Sequence, residues 1–288
     1  MKKESKNFTF HQTNIGDVKS IIIPRLTNAN KGDFGHAILV AGSKGMMGAC
    51  VLSAKSILRS GAGLVTVCIP KAGELIMQTS VPEAMVLVDS NDNSISTCPD
   101  LEKYSAIGVG PGIGTSLETK KAISDLIKTV KIPTVFDADA LNIIAQDKEL
   151  LKDVPKDSVL TPHVKEFSRI VGKFDNINDR TALQVDLSTK YKINILVKGH
   201  ETCMTDSNGD IFINTTGNPG MATGGSGDVL TGIITGLISR GLRPFDAMIA
   251  GAYLHGLSGD IARESLGEES MTAQDLVDHL GQSFLKVI

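Results

Sequence analysis

The stretch NPGMATGGSGDVLTG, Asn218–Gly232, collects five glycines around a single carboxylate, Asp228. Glycine reaches positive φ at little cost and lets a ligand approach the backbone closely. The run that follows, VLTGIITGLI, is apolar and long enough for a helix. Ser226–Asp228 is therefore predicted at a helix N-terminus, where free N–H groups and the helix dipole attract anions. The same field is expected to favour the ionised form of Asp228. A carboxylate beside an anion site has little purpose unless it takes part in the chemistry.

Outward from this stretch the chain alternates strands and helices. INILVKG (193–199) reads as a strand, and ETCMTDSNGDIFIN (201–214) as a hairpin turning at Ser207–Asn208–Gly209. Helices are predicted over 163–172, 179–191, 226–240, 244–264 and 272–286. In the first half, strands at 36–43, 64–70, 84–88, 105–110 and 133–139 alternate with helices at 48–63 and 117–130, and a short strand follows at 157–162. Continuous apolar strands interleaved with helices predict an α/β fold, with a mostly parallel central sheet and helices on both faces. Ligands of such sheets bind at the carboxyl ends of the strands. The glycine clusters and unusual polar residues fall there: 42–48, 108–114, 137–142, 161–166, 198–202 and 218–228. No linker or repeat interrupts residues 1–288, so one domain is expected, with 1–25 as an N-terminal extension packed on the body or on a neighbouring subunit.

Composition narrows the function. The formal net charge of −3 argues against nucleic acid or an anionic membrane as partner. Aromatics are 4% with no Trp, which disfavours stacking platforms for single strands. Cys50, Cys68, Cys98 and Cys203 form no CxxC pair, and are read as small apolar residues in a reducing compartment. The N-terminus lacks the apolar core of a signal peptide, and no stretch is long and apolar enough to span a membrane, so a cytoplasmic protein is expected.

Two phosphate motifs are excluded. GMATGGSGD has no lysine after its glycines, as a P-loop requires, and GSKGMMG (42–48) is spaced GxxGxxG rather than GxGxxG. The segment TGGSGDVLTGII resembles instead the anion-hole helix of the ribokinase-like superfamily, whose GxGD motif carries the catalytic base. NKGDFGHAILVAGSKGMMGA (30–49), GVGPGIG (108–114), VFDADALN (135–142), LTPHVKEFSRI (160–170), LVKGHET (196–202) and NPGMATGGSGDVLTGIITGLISRG (218–241) follow in order. Together they resemble the ADP- or ATP-dependent NAD(P)H-hydrate dehydratase family over roughly 25–285, in its stand-alone form without a fused epimerase domain.

The resemblance implies a ribokinase-like fold and a repair reaction. Hydrated NADH or NADPH (NADHX, NADPHX) is phosphorylated on its ring hydroxyl by ADP or ATP, and phosphate then leaves. It implies Asp228 as general base, with Ala49, Gly110, Gly112, Gly114 and His163 against the dinucleotide. Lys198, Gly199, His200, Glu201 and Thr202, with Gly224, Gly225, Ser226 and Gly227, are expected to hold the nucleotide. Glu166 is the candidate for positioning Mg2+, against the plainer reading of a solvated helix residue. Asp137 and Asp139 are read as caps of a helix starting near Ala140, and His36, His255 and the methionines as structural. The family further implies a homotetramer and a separate NAD(P)HX epimerase. Two rivals stand beside this reading: a hydroxymethylpyrimidine or hydroxyethylthiazole kinase of the same superfamily, and a nucleotide sensor that binds without releasing phosphate.

Overall fold

The structure, a computed structural model, describes residues 8–288; the first part of the predicted N-terminal extension, 1–7, lies outside the described residues. In chain order the elements are β1 (Phe10–Gln12), α1 (Ile15–Ile21), β2 (His36–Val40), α2 (Met47–Arg59), β3 (Leu64–Ile69), α3 (Glu74–Ser80), β4 (Met85–Val88), β5 (Ala106–Val109), α4 (Leu117–Thr129), β6 (Thr134–Phe136) and α5 (Ala138–Gln146). They continue with β7 (Val159–Leu160), α6 (Val164–Val171), α7 (Ile177–Tyr191), β8 (Asn194–Val197), β9 (Thr202–Thr205), β10 (Ile211–Asn214), α8 (Ser226–Ser239), α9 (Pro244–Leu266) and α10 (Ala273–Val287).

Among the described residues the strands form one ten-stranded sheet in the order β1-β10-β9-β8-β7-β6-β5-β2-β3-β4. All neighbours are parallel except the β8–β9–β10 meander, whose antiparallel arm is the predicted hairpin. The central strands of the sheet are buried on both sides, as the side-chain alternation shows. Ala37 and Leu39 pack towards α2, while Ile38 and Val40 join the layer of α4, α5 and α6. Val135, Val159 and Leu196 face α8 and α9, and their neighbours Phe136, Leu160 and Ile195 face the other way.

The N-terminal extension is less irregular than the sequence suggests. β1 pairs in parallel with β10, and α1 is closed by a capping box in which Asn14 and Asp17 hold one another's backbone N–H groups. Val18 of α1 is fully buried, so the segment packs on the body of the same chain. The strand escaped detection because its residues are exposed on both faces. Backbone pairing alone makes it, and an apolar pattern does not reveal that.

Two features aim the strand ends. β2 and β5 are neighbours although β3 and β4 lie between them in the chain, so the crossovers leave this point in opposite directions. That reversal opens a crevice between the loops that follow them. Behind the crevice, α8 is apolar all round, with Val229–Ser239 buried throughout, the pattern of a helix enclosed by neighbours. Its Gly232 and Gly236 let α2 come close. A Cβ at Gly232 would stand 2.3 Å from Ser53 O, and one at Gly236 2.8 Å from Ile57 O.

Candidate active site

The crevice is walled on one side by glycine turns. Gly110 ends β5 with φ +129, and a Cβ there would stand 1.9 Å from Asp137 O, so only glycine lets the turn lie on the β6–α5 corner. Ser43 Oγ donates to Gly112 O at 2.8 Å. Ala49, in the first turn of α2, faces Gly112, where an added Cβ would lie 3.1 Å from its own. Gly114 N donates to Asp139 Oδ2 at 2.9 Å. Ala49, Gly112 and Gly114 thus lie half-buried along one wall, with Gly110 buried at its base.

The opposite side is a cavity of about 750 Å3. One wall carries His163, Lys198, Gly199, His200 and Thr202; the other carries Asn218, Thr223, Ser226 and His255. The two predicted nucleotide segments therefore face each other, and the volume lies within the range of small-molecule sites. Glu201 is exposed and does not line the cavity. Gly224 and Gly225 shape the turn behind the wall, with Gly225 at φ +96 as the cap of α8. A Cβ at Gly227 would approach Lys198 Nζ to 3.1 Å, so this glycine keeps the lysine's corner open.

Lys198 is held by Asp137. Its Nζ lies 2.7 Å from Asp137 Oδ1, and Thr231 Oγ1 donates to Oδ2 at 2.6 Å. This corrects the reading of Asp137 as a helix cap. Asp137 does occupy the cap position of α5, but its side chain makes no capping bond. Burial to 1% exposure makes an unpaired carboxylate costly, and the lysine and threonine satisfy it instead. Asp139 likewise turns away from the helix end, to Gly114 N and to Asn142 Nδ2 at 3.2 Å. Ala138 between them has φ +49, a left-handed conformation that costs a non-glycine residue energy and sends the two side chains to separate tasks.

His163 and Glu166 form a capping box at the start of α6. His163 Nδ1 accepts from Lys165 N and Glu166 N at 3.0 and 3.2 Å, and Glu166 Oε2 accepts from His163 N at 2.8 Å. Glu166 is 7% exposed, so the solvated-residue reading fails. Burial raises its pKa, against the opposing pull of Lys198 and the His163 N–H. Among the described residues no group of three or more His, Cys, Asp or Glu side chains is arranged to hold a metal. Magnesium usually takes one or two carboxylates, substrate phosphates and waters. One buried carboxylate beside the Lys198 corner fits that mode and does not fit an all-protein cage.

Asp228 occupies the first turn of α8, as the glycine pattern predicted, and its main-chain oxygen accepts from Ser53 Oγ at 2.8 Å. Its ionisation differs from the expectation. Burial, followed by the charge of Asp137, pushes its pKa up to about 7, although Lys198 opposes the shift. Desolvation and a like charge outweigh the helix field here. His255, read as structural, lines the cavity and fixes its wall: its Nε2 lies 2.9 Å from Ser226 O and 3.3 Å from Ser226 Oγ. Burial pulls its pKa down to about 4, so the ring is neutral at pH 7. Asp137, Thr231 and His255 are the site residues whose side-chain partners the sequence concealed.

Comparison with known proteins places these features in a family. Residues 37–282 match the NAD(P)H-hydrate dehydratase family. The chain is 36% identical over 251 residues to the ADP-dependent (S)-NAD(P)H-hydrate dehydratase of Neisseria meningitidis, covering 84% of this chain and 82% of that protein. It is 39% identical to the bifunctional NAD(P)H-hydrate repair enzyme Nnr of Moorella thermoacetica, covering 89% of this chain but only 50% of that protein, so it spans about half of that relative's length. The ADP/ATP-dependent NAD(P)H-hydrate dehydratase of Bacillus subtilis, co-crystallised with ATP and Mg2+, superposes with a TM-score of 0.83 at 27% identity, covering 98% of this chain and 100% of that one. The mostly parallel sheet and its helical layers are those of the ribokinase-like fold.

Proposed function

Because the chain belongs to the NAD(P)H-hydrate dehydratase family, we propose that it repairs hydrated NADH and NADPH, driven by ADP or ATP. The observation that carries this reading is Asp228. A partly buried carboxylate with a pKa of about 7 sits in the first turn of a helix whose first residue, Ser226, lines a nucleotide-sized cavity, and it feels the charges of Asp137, Lys198 and Asp139. That is the ionisation a general base needs near neutral pH.

The nucleotide lies between Lys198–Thr202 and the loop 218–227, with its terminal phosphate towards Lys198. The dinucleotide lies along Ala49 and Gly110–Gly114 and reaches His163. Asp228 takes the proton of the ring hydroxyl as that oxygen bonds to the terminal phosphorus of the donor. The bond from phosphorus to the donor's bridging oxygen breaks, leaving AMP from ADP, or ADP from ATP. The N–H groups opening α8 stabilise the charge on the phosphoryl oxygens. The ring nitrogen then expels phosphate, a ring proton is lost, and the double bond returns. Bound Mg2+ would neutralise donor phosphate charge, with Glu166, whose carboxyl feels the charge of Lys198 without pairing to it, as the carboxylate that would help to hold it. The solved Bacillus relative was co-crystallised with ATP and Mg2+, which supports a nucleotide donor with Mg2+.

We assign the chain to the cytoplasm; among the described residues no helix is long and apolar enough to cross a membrane. A separate NAD(P)HX epimerase would supply the reactive epimer, in keeping with longer relatives named bifunctional. A homotetramer would cover the apolar edge at Leu75, Ile76 and Met85, which are 79%, 43% and 44% exposed.

The test is NADHX turnover, followed at the NADH absorbance band, with ADP and ATP compared side by side. The wild-type protein should restore NADH with at least one donor and release phosphate. Asp228→Asn should lose about 10²–10⁴-fold in kcat while keeping nucleotide affinity. No turnover with either donor would refute the function. Near-normal kcat in the variant would refute the base.

A further inference from the structure

A second cavity, of about 400 Å3, lies beside the glycine wall and is lined by Thr115, Asp139, Asn142, Ala145, Gln146 and Arg169. It is tied to the site by a chain of hydrogen bonds. Gly114 N donates to Asp139 Oδ2 at 2.9 Å, Asn142 Nδ2 donates to Asp139 Oδ1 at 3.2 Å, and Arg169 Nη1 donates to Asn142 Oδ1 at 2.6 Å. The arginine is thus set in register with the turn that faces the dinucleotide.

Its chemistry points outward. The one hydrogen-bond partner found for the Arg169 guanidinium among the described residues is a neutral amide, and no carboxylate lies within ion-pair distance. Asp139 shares the cavity and is held by one donor on each oxygen, Gly114 N and Asn142 Nδ2, which turns its carboxylate towards them. Nη2 and Nε have no partner among the described residues, and a guanidinium edge presents paired donors that match two phosphate oxygens. The other walls are neutral: Thr115, Asn142, Ala145 and Gln146. Arg169 follows His163 by six residues along α6, about 9 Å of helix rise. A dinucleotide whose ring meets the Lys198 cavity at His163 extends over such a distance.

We infer that Arg169 and this cavity form a phosphate subsite for the dinucleotide, continuous with Gly110–Gly114. The inference rests on the proposed repair function. The phosphate is either the pyrophosphate common to NADH and NADPH or the ribose 2′-phosphate of NADPH alone, and the experiment separates them.

Binding of NADPH, NADH and ADP is measured by fluorescence and calorimetry for wild type, Arg169→Gln and Arg169→Lys, with melting temperatures beside them. Arg169→Gln keeps a donor for Asn142 and removes the charge. NADPH affinity should fall about tenfold or more, the size of a lost charge-assisted hydrogen bond, with ADP affinity unchanged and partial recovery in Arg169→Lys. An equal loss for NADH assigns the pyrophosphate; unchanged NADH affinity assigns the 2′-phosphate. Unchanged affinity for both dinucleotides overturns the subsite and leaves the repair function standing. So does a loss that ADP shares in step with a lowered melting temperature, which marks a structural role. Wild-type protein that binds ADP but neither dinucleotide overturns the repair function, and this subsite with it.

Discussion

Asp228 holds its proton up to about pH 7, because burial and the neighbouring Asp137 penalise the anion. Two pH dependences follow, with opposite signs. The base must be deprotonated to act, so kcat/KM should rise with pH through about 7 and level off above it. Stability should move the other way. The folded state holds this proton more tightly than the unfolded chain, whose carboxyl has the ordinary value of 3.8. The resulting stabilisation is complete below that value and is lost as pH rises through about 7. Asp228→Asn removes the loss, so its melting temperature should exceed that of wild type at pH 8, with the gap narrowing towards pH 4. An unchanged gap would mean the carboxylate is solvated. The place of Asp228 was legible in the sequence, since a glycine cluster followed by an apolar run marks a helix start. Its ionisation was not. The acid that perturbs it, Asp137, belongs to another element, and Asp137's own partners, Lys198 and Thr231, lie 61 and 94 residues further along the chain.

At the scale of elements, α8 presents the catalytic turn at one end and leans on α2 along its length. Gly232 makes that contact possible, because a Cβ there would meet Ser53 O at 2.3 Å. Gly232→Ala should therefore push the helices apart and cost about 1–3 kcal/mol, as overpacking does. It should also lower kcat, because Ser53 holds the main-chain oxygen of Asp228. Gly281→Ala is the control. This glycine lies within α10 with nothing within 4 Å of an added Cβ, so alanine should stabilise by roughly 0.5–1 kcal/mol and leave kcat alone. Thermal melts with matched kinetics check both; a stable, active Gly232→Ala protein would show that α2 yields. Helices and buried strands were readable here because each carries its own apolar run, such as HAILV or VLTGIITGLI. The tolerance between two helices is a property of the pair, and neither run alone records it.

At the scale of the whole molecule, strand order was the part hidden from sequence. The runs announced a mostly parallel sheet, but not that β5 would insert beside β2 and open the crevice, because order depends on which crossover packs on which face. The far edge was hidden as well, where β1 covers β10. Deleting residues 1–13 should leave that edge open and cause concentration-dependent association, visible by light scattering. ADP affinity should persist, since Lys198 and Ser226 are untouched; a monodisperse truncated protein would show that β1 protects nothing. The same pairing bears on how the molecule is made. Gln12 and its partner Thr215 are 203 residues apart, so at ordinary elongation rates of about 5–20 residues per second the first strand waits some 10–40 s for its neighbour to leave the ribosome. During that interval the nascent chain carries an extended segment with no place to dock. Among the described strands, the first one synthesised thus has to wait for the last, because β1 pairs with β10 alone.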